Sequence, residues 1–156
     1  MASVLGGSET THLEDKVRYG CLLSTMGPVT CCFLLIICLI NMLHRLSEGN
    51  LPSIAKTIES LYGVNARAEL SAALTRVILD VTLMTTHAPS RVVTDIAMLL
   101  AVLHSRIGCE VTAAFLHELI SQYQQLFDDA PVAEAGKQLD NALLLLSQLY
   151  NFKVCC

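Results

Sequence analysis

Residues 70–84 read LSAALTRVILDVTLM, and the spacing of their apolar positions decides the fold class. Leu70, Ala73, Leu74, Val77, Ile78, Val81 and Met84 recur at intervals of three and four, which lines them up along one side of an α-helix over four turns. Asn65 stands ahead of this stripe in the place of a helix cap, and Thr85-Thr86-His87-Ala88-Pro89 follows it as a loop.

The same pattern extends in both directions. Upstream, a helix from Cys31 to Glu48 is expected, with Leu35, Leu39, Met42, Leu43 and Leu46 on one face and Gly49 closing it in the left-handed conformation. Asn50 is placed to cap the next helix, which has Pro52 in its first turn, presents Leu51, Ile54, Ile58 and Leu61, and stops at Gly63. Downstream, Ser90 is expected to cap a helix in which residues 96–103, IAMLLAVL, are apolar all round, the mark of a central helix. After Gly108 a fifth helix shows Val111, Phe115, Leu119, Tyr123 and Leu126. Beyond Pro131 a sixth shows Val132, Ala135, Leu139, Ala142, Leu143, Leu146 and Leu149. Six helices in three antiparallel pairs, starting near residues 31, 66 and 110, fall in the repeat length of HEAT-like α-solenoids. A six-helix globular bundle is the alternative that periodicity leaves open.

The 156 residues are 53% hydrophobic and 15% charged, which suits one packed domain rather than a disordered tail. Residues 1–30 are the exception: they read as a disordered or unrelated arm ahead of a helical domain over 31–156. The net charge is −4, and residues 44–156 carry eight Lys and Arg against eleven Asp and Glu. The phosphate attraction that dominates nucleic-acid affinity is therefore weak, and RNA contact is expected to be salt-sensitive and indirect. Four of the seven cysteines (Cys21, Cys31, Cys32, Cys38) fall in one apolar stretch and two are Cys155 and Cys156, which is no framework of spaced bridges. Residues 19–43 carry no charge, so a membrane anchor through residues 29–43 is the alternative reading. Pro28 leaves only fifteen residues after it, short of the roughly 20 needed to span, so a buried first helix is the expectation.

Catalytic signatures are missing. There is no Walker loop, dinucleotide-binding glycine pattern, nucleophile elbow or HExxH. His104, Cys109 and His117 lack paired metal-ligand spacing, and the adjacent carboxylates Asp128 and Asp129 suit a solvated loop. No enzyme activity, cofactor or metal is expected.

Several stretches carry a family resemblance. Residues 43–54 (LHRLSEGNLPSI), 58–62 (IESLY), 103–111 (LHSRIGCEV) ahead of Phe115-Leu116, and 149–152 (LYNF) resemble, in this order, the MIF4G domain, the middle domain of initiation factor 4G, in its nucleolar branch. The resemblance covers the front half of that domain and implies a truncated HEAT-like array, a non-catalytic scaffold. It also implies docking of a DEAD-box RNA helicase of the initiation-factor-4A type, a role in small-subunit ribosomal RNA processing within a pre-ribosomal particle, and a nucleolar location. By position, contacts are expected from Arg45, Glu48 and Asn50 at the first turn and from Asn151, Phe152 and Lys153 at the last.

Overall fold

The computed structural model describes residues 28–83, 89–129 and 132–154. Among these the chain forms six helices and no strand: α1 (Pro28–His44), α2 (Leu51–Val64), α3 (Arg67–Thr82), α4 (Ser90–Ile107), α5 (Cys109–Asp129) and α6 (Val132–Asn151). The arm expected over residues 1–30 lies outside the described residues up to position 27, while residues 28–30 already belong to α1. Pro28 opens that helix, at the one position where its missing N–H costs nothing.

Alternate helices stack. α1 packs on α3 and α3 on α5, while α2 packs on α4 and α4 on α6, so odd helices form one layer and even helices the other. Two ion pairs give the register. Glu59 near the end of α2 meets Arg106 near the end of α4 at 3.3 Å, and Arg67 at the start of α3 meets Glu110 near the start of α5 at 4.0 Å. Stacked helices thus run parallel and level with each other, the arrangement of an α-solenoid, in which a unit touches only its neighbours.

The α3 stripe is buried as its spacing requires, from Leu70 through Ile78, with Val81 partly buried; Met84 lies outside the described residues. Thr75, Leu79 and Thr82 are buried as well, because α3 has a neighbour on each flank and a single stripe understates its contact arc. The run at 96–103 is central as expected: α4 touches α2, α3, α5 and α6, and Ile96, Ala97, Leu99, Leu100 and Leu103 are fully buried. In α1, Leu35, Leu39 and Leu43 face the core, whereas Phe33 and Ile37 are exposed. Among the described residues no helix is long and apolar enough to cross a membrane.

The helix ends depart from expectation. α1 ends at His44, four residues early, and Gly49 does not take a left-handed conformation. Asn50 precedes α2 but its side chain makes no cap bond, because its αR backbone (φ −108°, ψ −4°) turns the amide away from the first helical N–H groups. Gly63 lies inside α2, which runs on to Val64. Asn65 closes α2 instead of opening α3, its amide donating to Leu61 O at 3.0 Å, and Ala66 stands at the start of α3. Ser90 is the first residue of α4 and Pro89 occupies the cap position. Gly108 joins α4 to α5 with no other linking residue, at φ 129°, where a side chain would be strained. In α6 the four consecutive leucines carry no period of their own. The structure buries Ala142, Leu145 and Leu149 and leaves Leu143 and Leu146 exposed.

Candidate interaction surface

The first turn is built by Asn50. Its Oδ1 accepts from Ser47 N–H at 2.8 Å, its Nδ2 donates to Arg45 O at 2.5 Å, and its own N–H donates to Ser47 O at 3.1 Å. One side chain therefore fixes the path of residues 45–50, and the turn holds Arg45 and Glu48 exposed on its surface. Asn50 itself is half-buried, so its part in any contact is to set the turn.

The last turn is built by the backbone. Val154 N–H donates to Leu149 O at 3.0 Å and Lys153 N–H to Tyr150 O at 2.9 Å, the paired bonds that end a helix in a left-handed residue. That residue is Lys153, at φ 59°. Val154 is buried, matching the apolar contact that accompanies this ending, while Asn151, Phe152 and Lys153 are exposed.

The structure does not bring the two clusters together. The chain reverses at each turn, so residues 45–50 lie on the edge where odd helices end and residues 151–153 on the edge where even helices end. Helices of 14 to 21 residues separate these edges by about 20–30 Å at 1.5 Å per residue. The second edge also carries the Glu59–Arg106 and Arg67–Glu110 pairs and a corner around Gly108. There Thr112 donates to Cys109 O at 3.1 Å and accepts from His104 Nδ1 at 2.6 Å, since the hydroxyl has a single proton to give. This tie was not legible beforehand: it needs α4 and α5 to fold back at Gly108 so that residues eight apart meet.

Among the described residues no group of His, Cys, Asp or Glu is arranged to hold a metal ion. Cys38 is half-buried, and burial raises its thiol above the ordinary range. Cys109 is exposed.

No family model and no solved structure matches the chain. Curated proteins do. The chain is 33% identical over 114 residues to "Nucleolar MIF4G domain-containing protein 1" of Mus musculus, a match covering 73% of this chain and 13% of that protein. It is 37% identical over 115 residues to the Drosophila melanogaster homolog, covering 73% of this chain and 14% of the relative. "Suppressor of glycerol defect protein 1" of Schizosaccharomyces pombe is 27% identical over 115 residues, covering 72% and 15%. The chain thus spans a small part of each relative's length. A chain whose described residues form stacked helix pairs, and which shares a third of its residues over nearly three quarters of its length with the mouse and fly proteins, belongs, over that stretch, to the nucleolar branch of the MIF4G-domain family.

Proposed function

We propose that this chain is a non-catalytic docking scaffold for a DEAD-box RNA helicase of the initiation-factor-4A type, acting in small-subunit ribosomal RNA processing in the nucleolus. The observation that carries the reading is the two-edged array: turns of defined conformation with exposed Arg45 and Glu48 on one edge and Lys153 on the other, held about a helix length apart by a rigid two-layer core. A surface of that span contacts two lobes of a partner at once and stabilises the arrangement it fits, which shifts the partner's population without any chemistry in the scaffold. The names of the relatives support the nucleolar setting, and the partner class is what the resemblance to the MIF4G domain implies.

RNA is a secondary, indirect ligand in this reading. The negative net charge supplies no general attraction to phosphate, so contact with the pre-ribosomal particle runs through the helicase.

The test is a pull-down of the full chain against purified 4A-type helicases, with ATP turnover measured alongside. Retention together with altered turnover is the expected result, and Arg45→Glu with Lys153→Glu is expected to abolish both. A helicase that neither binds nor changes its turnover leaves this chain without the proposed role.

A further inference from the structure

Between α3 and α5 the surface of the odd layer sinks into a groove of about 820 Å³. Small side chains form its floor: Ala68, Ser71 and Ala72 on α3, faced by Ala114 on α5. From Ala68 to Leu79 it runs about 16 Å at 1.5 Å per residue. The Arg67–Glu110 pair closes one end at 4.0 Å.

The other end is polar and only partly satisfied. Thr75 lines it at 8% exposure, and among the described residues its hydroxyl makes no hydrogen bond. Gln122 donates to Glu118 at 3.3 Å, and because a carboxylate only accepts, the amide orientation is set and Gln122 Oε1 is left buried with no donor. A buried polar atom without a partner is costly and rare in folded proteins. Arg76 and Asp80 line the same end, and neither pairs with a charged group among the described residues.

We propose that this groove takes a short basic amphipathic helix from a protein partner, with its apolar side on the alanine floor and a Lys or Arg reaching the Glu118–Asp80–Gln122 end. Small residues on two parallel helices let a third helix approach at close backbone distance, and the groove matches about three turns of helix. The charge is complementary. Asp80 and Glu118 outnumber the one cation at this end, Arg76, so a cationic side chain is the complement there. The same carboxylates repel a phosphate backbone. The groove lies along the helix flanks and shares no residue with the two turns, so this inference stands or falls apart from the helicase reading.

The experiment uses the full chain and fluorescence anisotropy with three labelled helical peptides of about four turns, alanine and leucine along one face, bordered by lysine, by glutamate or by serine. The lysine peptide is expected to bind saturably and at least about tenfold more tightly than the glutamate peptide. Ala72→Trp, a plug at an exposed position, is expected to weaken it about tenfold or more with the helical circular-dichroism signal retained. Ala68→Leu is a second plug should the tryptophan disturb folding. Asp80→Asn with Glu118→Gln is expected to remove most of the preference for lysine. Equal affinity for all three peptides, binding that both plugs leave unchanged, or tighter binding of a single-stranded RNA oligomer that the plugs block, each overturns the proposal.

Discussion

Lys153 holds a left-handed conformation that an L side chain adopts at a cost, and it does so because the Leu149 and Tyr150 carbonyls and the buried Val154 require the turn there. Glycine takes the same conformation freely. Lys153→Gly is therefore expected to stabilise the fold by roughly 0.5–1 kcal/mol, read as a higher urea midpoint at unchanged slope; a lower midpoint would show that the lysine side chain contributes packing the backbone argument omits. Asn50 runs the other way. Asn50→Ala removes both the bond from Ser47 N–H and the bond to Arg45 O, an expected loss of about 1–2 kcal/mol. Asn50→Asp is not expected to restore it, because a carboxylate has no proton to give the Arg45 carbonyl. At the thiols, burial keeps Cys38 protonated to higher pH than usual, so at mildly alkaline pH it holds less thiolate than a thiol of ordinary pKa as well as being less accessible. Iodoacetamide with site-resolved mass spectrometry is expected to label Cys109 well before Cys38, and equal rates would mean that α1 opens readily.

At the scale of elements, burial decides what a substitution costs. Leu100 on α4 is fully buried amid the helices that surround α4, and Leu100→Ala is expected to cost about 2–5 kcal/mol, a large share of the stability of a single domain. Leu143→Ala on the half-exposed side of α6 is expected to stay within about 0.5 kcal/mol. Chemical denaturation of the two variants side by side checks the contrast, and similar costs would contradict the register of α6. The first of these sites was legible in the sequence: residues 96–103 are apolar on every side, and only a central helix tolerates that. The second was not, because four leucines in a row fit any rotation of α6 and only packing against its neighbours, chiefly α4 and α5, selects Leu145 over Leu143 and Leu146. Helix caps are hard to read from sequence for a related reason. Asn50 and Asn65 do satisfy backbone groups at helix ends, but they reach backwards, to the Arg45 carbonyl and the Leu61 carbonyl. Residue type signals a local hydrogen bond without giving its direction. Of the expected contact residues, position along the chain yielded exposed turns at Arg45, Glu48 and Lys153, whereas their assignment to opposite edges follows from the reversals of the whole array. The groove between α3 and α5 had no sequence signal, since alanine and threonine on a helix read as filler until a second helix is set beside them.

The described residues form a stack, and a stack is not uniformly stable. Among the described residues α1 rests chiefly on α3, whereas α4 is held by α2, α3, α5 and α6. In such an array each unit's resistance to opening is its own stability plus its contacts with neighbours, so an end helix opens at lower free energy than a central one. The ion pairs along the second edge do little to even this out. The Glu59–Arg106 and Arg67–Glu110 side chains are 44% to 83% exposed, and exposed pairs contribute at most about 1 kcal/mol. Hydrogen exchange followed by mass spectrometry is therefore expected to show peptides from residues 96–103 exchanging only on global unfolding, while peptides from residues 33–44 exchange sooner through a partial opening. Leu39→Ala, which removes a fully buried contact of α1, should widen the difference by accelerating α1 with little change in α4. Equal protection of both segments, or a Leu39→Ala effect that reaches α4 in full, would mean that the six helices fold as one cooperative unit; the outer helix would then be as firmly placed as the centre, and the two edge turns as rigid as the core between them.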